Sequence, residues 1–127
     1  MKYLLDTHTA IWAFDDKSKL SETARAIIGD VTVSLCVSVI SALEVAIKIS
    51  LDKLGFEGGS TEFLNRIRHN GIELLQIGES HLKYLETMPF IHRDPFDRLL
   101  VATAKTENMT IITADENIRK YDVLSIW

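Results

Sequence analysis

Residues Val31–Leu51 read VTVSLCVSVISALEVAIKISL, and the way this stretch divides decides the fold. It is apolar enough to suggest a membrane span, but it contains Glu44, Lys48 and several serines. Charges in mid-bilayer cost roughly 2.5–3.5 kcal/mol each on insertion scales. A buried strand followed by a helix accounts for it better: Thr32–Val39 is valine-rich and apolar on both faces, and Ala42–Leu51 has helical spacing behind an N-cap at Ser41. A strand that is apolar on both faces belongs in a sheet covered on two sides.

The same alternation continues in both directions. Tyr3–Leu5, Glu73–Ile77, Thr110–Thr113 and Val123–Ile126 read as further strands. Thr9–Phe14, Ser21–Gly29, Thr61–Asn70, Ser80–Thr87 and Phe96–Glu107 read as helices. Ser21 and Ser60 stand where N-caps belong, Gly29 and Gly71 where left-handed C-caps are common, and Asp94-Pro95 opens the last long helix. Strands alternating with helices give an α/β class, with a central parallel sheet flanked by helices in three layers. At 127 residues the chain suits one domain, 1–127, with no repeat or linker.

Composition narrows the classes further. Met1–Asp6 enters a strand with no cationic lead or cleavage site, so no secretory leader is expected. The single cysteine, Cys36, cannot form an internal disulfide and reads as a small buried hydrophobe in a reducing, cytoplasmic setting. A net charge of −4 runs against the basic footprint of most nucleic-acid proteins. That objection loses force if several acids are gathered to hold cations, which reverse the local field.

Four acids stand where a parallel sheet would gather them. Asp6 ends the first strand, and Glu44 lies in the first turn of the helix after the second. Asp97 lies in the first turn of the long helix, and Asp115 follows the fourth strand. Open α/β sheets bind ligands at the carboxyl ends of their strands, where the strand order reverses. Carboxylates brought together there raise one another's pKa unless a cation relieves them. Oxygen-only donors favour Mg²⁺ or Mn²⁺, one or two ions of which can activate water at a phosphodiester.

Each acid also has a structural explanation. Ser41-x-x-Glu44 forms a capping box, and Glu44 precedes Lys48 by one helical turn. Asp94 and Asp97 can cap their helix, and Asp115 can cap a short helix at Glu116–Lys120. Asp6 has no evident capping duty. Asp97 shares its face with Leu100, Val101 and Ala104, and a charge on an apolar face needs partners.

Taken together, Leu4-Leu5-Asp6-Thr7-His8, Ser41-x-x-Glu44-x-x-x-Lys48, His92-Arg93-Asp94-Pro95-Phe96-Asp97-Arg98 with Leu99–Ala104, and Thr113-Ala114-Asp115 resemble the PIN-domain family. Within it they resemble the VapC toxins of VapBC toxin–antitoxin pairs. The resemblance spans nearly the whole chain and is most specific from Asp94 to Ala104. It implies a Mg²⁺- or Mn²⁺-dependent endoribonuclease whose acids are Asp6, Glu44, Asp97 and Asp115. Thr113 would serve as a supporting hydroxyl and Asp94 as a cap or outer support. It also implies an RNA substrate, a homodimer and a small antitoxin that obstructs the site, where an inserted arginine would suit the acids. Trp12, Phe14, Leu51, Leu54 and Phe56 include more large apolar groups than one core obviously needs, which agrees with such partners, with plain core packing as the equal alternative.

His8, His69, His81 and His92 lack metal-motif spacing. His8 and His92 are candidates for phosphate or water contacts, and Lys48, Arg93 and Arg98 for the substrate backbone; otherwise these are ordinary structural or solvated groups. Two other functions compete. A phosphohydrolase of small esters would use Asp6 as nucleophile, but His8 stands where its second aspartate belongs. A non-catalytic binding module would use the acids only as caps.

Overall fold

The computed structural model describes residues 1–127. Five strands form one sheet: β1 (Lys2–Leu5), β2 (Ser34–Ser38), β3 (Glu73–Leu75), β4 (Thr110–Ile112) and β5 (Ser125–Ile126). Their order is β3-β2-β1-β4-β5 and every neighbouring pair is parallel. The chain leaves β1 toward β2 on one side and later returns beside it as β4. The strand order therefore reverses at β1, and the carboxyl end of β1 lies at the switch point.

Seven α-helices cover the sheet: α1 (Thr7–Asp15), α2 (Glu22–Ile28), α3 (Val39–Ser50), α4 (Gly59–His69), α5 (Glu79–Thr87), α6 (Pro95–Glu107) and α7 (Glu116–Arg119). Neighbouring residues on each strand point to opposite faces, which builds two cores. Tyr3, Leu5, Val37 and Ile112 pack with α1, α2, Ala42 and Val45 of α3, and Phe63 and Ile67 of α4. Leu4, Cys36 and Ile111 pack on the other face against Leu99–Ala102 and Ala104 of α6, with Met88, Met109, Ile118 and Tyr121. Trp12, Phe14, Leu54 and Phe56 pack against the first core rather than standing free, and only Leu51 of that expected surplus is exposed. Cys36 is buried as expected; burial pushes its thiol up to about 12, with Glu73 adding to the shift. No helix is long and apolar enough to cross a membrane.

Several helix starts differ from the sequence reading. Helix α3 begins at Val39, capped by Ser38, whose hydroxyl accepts from Ile40 N at 3.1 Å. Ser41 therefore lies inside the helix, its capping box with Glu44 does not form, and Glu44 falls in the second turn. The last strand residue thus also caps the helix, so no loop separates them. Likewise Ser60 lies within α4, which is capped by Gly58 at φ +84. A Cβ there would meet Glu62 Cβ at 2.6 Å. Gly58→Ala should therefore lower stability by more than about 1 kcal/mol, measurable by denaturant unfolding. Gly29 closes α2 at φ −80, a right-handed rather than left-handed cap, whereas Gly71 at φ +69 turns the chain as expected.

Two contacts fix the long helix that delivers Asp97. Gly78 N–H donates to His81 Nδ1 at 3.0 Å, so Nε2 carries the ring proton and donates it to Glu107 Oε1 at 2.9 Å. Buried His81 thereby ties the start of α5 to the end of α6. At the other end of α6, Asp94 accepts from Phe96 N and Asp97 N at 2.8 and 3.3 Å, with Pro95 in the first turn.

Candidate metal centre

The carboxyl end of the sheet collects the acids, and local folding explains each position. Asp6 follows β1 directly and caps α1: its Oδ1 accepts from Thr9 N at 2.8 Å. Its Oδ2 accepts from the Thr113 hydroxyl, which itself accepts from Asp115 N at 2.9 Å. Asp6 thus has the capping duty that was not evident from the sequence. Thr113 links the ends of β1 and β4, and Asp115 caps α7 by accepting from Asn117 N at 2.8 Å. Thr113→Val should leave Asp115 N–H unpaired and release Asp6. We expect a loss of about 1–3 kcal/mol by chemical denaturation.

Glu44 is buried on α3 with both oxygens engaged. Thr7 donates to Oε1 at 2.6 Å, and Lys48 Nζ lies 2.7 Å from Oε2. Ser41 Oγ is 2.8 Å from the same Thr7 hydroxyl. Because Thr7 has one proton and spends it on Glu44, Ser41 donates to Thr7. Thr7 and Ser41 were absent from the sequence-based site.

Asp97 differs from the other acids. It is 9% exposed, caps nothing, and neither carboxylate oxygen accepts a hydrogen bond. Its nearest cationic candidate is His92 Nε2, 3.9 Å from Oδ2. Burial first, then the negative charges of Asp94, Asp115, Glu44 and Asp6, push its pKa up to about 8. The N-terminus of α6 opposes this, but a helix end supplies at most about 2 kcal/mol at a partly buried site. Asp6 is also raised, chiefly by burial, although its hydrogen bonds from Thr113 and Thr9 pull the other way. The hydrogen bond and charge of Glu44 raise the Lys48 ammonium.

The structure thus brings Asp6, Glu44, Asp94, Asp97, Asp115, Thr113 and Lys48 together. The ligand atoms of His92, Asp94 and Asp97 lie within 4.8 Å of one another, a grouping the sequence did not suggest. The loop before α6 sets His92, because the Tyr121 hydroxyl accepts from His92 N at 2.8 Å and donates to His92 O at 3.2 Å. His8 is exposed, with its ring 5.7 Å from Trp12. Together with Asp6, Ala114 and Asp115 these two residues line an open concavity of about 320 Å³. Arg93 is exposed. Arg98 is occupied by Pro89 O at 3.0 Å and lies over the Phe90 ring at 4.6 Å, so it braces the loop.

A parallel sheet in this order, with these acids at its switch point, can be compared with known proteins. The PIN domain model matches residues 3–124. The chain belongs to the PIN domain family. Members of this family are generally nucleases. No curated protein sequence matches this PIN domain significantly. Among solved structures it is similar to VapBC2 from Rickettsia felis bound to a DNA fragment from its promoter, with TM-score 0.75, 15% identity, and 100% of this chain and 99% of that chain covered. It is also similar to DNA-bound VapBC from Salmonella typhimurium, with TM-score 0.70, 16% identity and 100% and 97% covered. VapBC-1 from nontypeable Haemophilus influenzae gives TM-score 0.69 at 18% identity, covering 99% and 97%. Identities this low establish a shared fold.

The donor set of this PIN domain fits a hard divalent cation. It offers carboxylate oxygens, with one imidazole at the rim, and Asp97 is a buried carboxylate with no donor of its own. A cation on Asp97 would relieve both its desolvation and its neighbours' repulsion.

Proposed function

We propose that this PIN domain is a metal-dependent endoribonuclease and the toxin of a toxin–antitoxin pair. Asp97 carries the reading. Capping explains one oxygen each of Asp6, Asp94 and Asp115, as a binding module would require, but it explains nothing about Asp97. A mostly buried carboxylate that accepts no hydrogen bond from the protein, with only His92 Nε2 at 3.9 Å and four other acids around it, is costly unless a cation meets it.

Asp6, Asp97 and Asp115 would hold Mg²⁺ or Mn²⁺, with Glu44 completing the acidic wall. Such an ion, when bound, supplies charge neutralisation at the scissile phosphate and a more acidic water. The chain's own groups do the positioning. Thr9 N–H and the Thr113 hydroxyl fix the Asp6 carboxylate, and Asn117 N–H fixes one oxygen of Asp115. Thr7 fixes Glu44. The open concavity beside His8 and Trp12 would give a strand access to Asp6 and Asp115, and Arg93, which is exposed, would be free to contact its backbone. A nucleophilic role suits Asp6 poorly, because it is buried and both its oxygens accept hydrogen bonds.

Partners follow from the same reading. The similar solved structures are VapBC complexes, which supports a cognate antitoxin for this chain. Leu43 and Ile47, one turn apart on α3, and Leu51 just past its end remain exposed, as do Leu82 and Phe90. They suit the homodimer and antitoxin contacts that go with this role, and an antitoxin arginine would pair with the acids. Activity that survives saturating antitoxin would refute the last point.

Substrate class is tested by offering RNA, single-stranded DNA and p-nitrophenyl phosphate in Mn²⁺. Cleavage of RNA alone is expected. Turnover of the small ester without RNA cleavage would favour the phosphohydrolase.

A further inference from the structure

The pairing of Glu44 with Lys48 has a consequence for the number of ions, and it rests on the metal-centre reading above. Glu44 is the one acid of the cluster that already holds a cation. Its Oε2 is 2.7 Å from the Lys48 ammonium and its Oε1 is taken by Thr7 at 2.6 Å. The other acids accept only neutral donors: Asp6 from Thr9 and Thr113, Asp94 from backbone amides, Asp115 from Asn117. Asp97 accepts none.

We propose that Lys48 is the resident cation of the site, saturating Glu44 so that the acidic cluster takes one divalent ion rather than two. Five carboxylates, those of Asp6, Glu44, Asp94, Asp97 and Asp115, would otherwise have the charge and oxygen count for a pair of ions. An ion seated on Glu44 must either evict Lys48 or sit beside its positive charge. The ion pair is held in place from below: Ser41 donates to Thr7 and Thr7 to Glu44, all three buried. Lys48 reaches in from the next turn of α3 with its side chain 33% exposed. The acidic cluster therefore keeps one fixed positive charge, close enough to Asp94 and Asp97 to feel both. Lys48 thus acts through Glu44 as a positioning residue for metal stoichiometry.

The test counts bound Mn²⁺ per chain by electron paramagnetic resonance of the free ion during titration of metal-free protein. Wild type and Lys48→Arg should each bind one ion, and Lys48→Gln two. The double variant Lys48→Gln/Glu44→Gln should return to one, assigning the second ion to Glu44. Melting curves confirm that each variant is folded, which the partial exposure of Lys48 favours. Two ions in wild type, or one in folded Lys48→Gln, would overturn the proposal while leaving the metal centre standing. No binding by wild type would overturn the metal centre itself.

Discussion

Asp97→Asn is expected to abolish nuclease activity while making the metal-free protein more stable at alkaline pH. Loss of outer-shell partners typically costs 10–100-fold in affinity or activity, so loss of Asp97 itself should cost at least about a hundredfold. The stability gain follows from proton linkage. In the unfolded chain an aspartate titrates near ~3.9, whereas burial and neighbouring acids push folded, metal-free Asp97 up to about 8. Between those values the folded state holds a proton that the unfolded state has lost, so stability falls as pH rises through this window and levels off above it. Asparagine cannot ionise and escapes that loss. One pKa unit corresponds to ~1.4 kcal/mol, and for a domain near this size such a change moves Tm by roughly 5 °C. In EDTA the variant should therefore melt at least that much above wild type at pH 8.5, and close to it near pH 4. A variant that melts below wild type at pH 8.5 would show that Asp97 is well accommodated without a cation.

The second large effect is the response of wild type to metal. A ligand that binds only the folded state at a hundred times its Kd adds about 2.7 kcal/mol, or roughly 10 °C in Tm for a chain of this length. Mn²⁺ should raise the melting temperature by that order at pH 8, and EDTA should reverse it. Near pH 5 the gain should shrink, because folded Asp97 keeps its proton there and must release it to bind the ion. Asp97→Asn should show little of the response at either pH. An equal shift in the variant would locate the ion elsewhere.

Much of this arrangement was legible because strand and helix periods are local signals. Thr32–Val39 followed by a helix with Glu44 could be read from spacing, and the parallel sheet followed from strands apolar on both faces. Asp6, Asp97 and Asp115 came from their positions after strands or at a helix start, and Glu44 from a helix that begins at Val39 rather than Ala42. The errors were local competitions between candidate caps. In sequence Ser41 reads as the N-cap and Ser38 as part of the strand, but Ser38 takes the cap because β2 runs straight into α3. Gly58 displaced Ser60 because a tight turn required positive φ.

What the sequence concealed were contacts between distant segments. Thr7 meets Ser41 and Glu44 across separations of 34 and 37 residues, and nothing in a hydroxyl's neighbourhood announces such a partner. The His92 backbone, beside Asp94 and Asp97, is held by Tyr121, 29 residues away. The isolation of Asp97 was half visible: its apolar helical face signalled burial, but only the folded arrangement shows that no donor reaches it.

The most direct test of the account is cleavage of a mixed RNA substrate by wild type and by Asp97→Asn, each with Mn²⁺ and with EDTA. Cleavage by wild type in Mn²⁺ alone, lost in EDTA, restored on readdition of the ion and absent from the folded variant, is the expected result. Cleavage that persists in EDTA, or in folded Asp97→Asn, would contradict a metal centre built on that carboxylate.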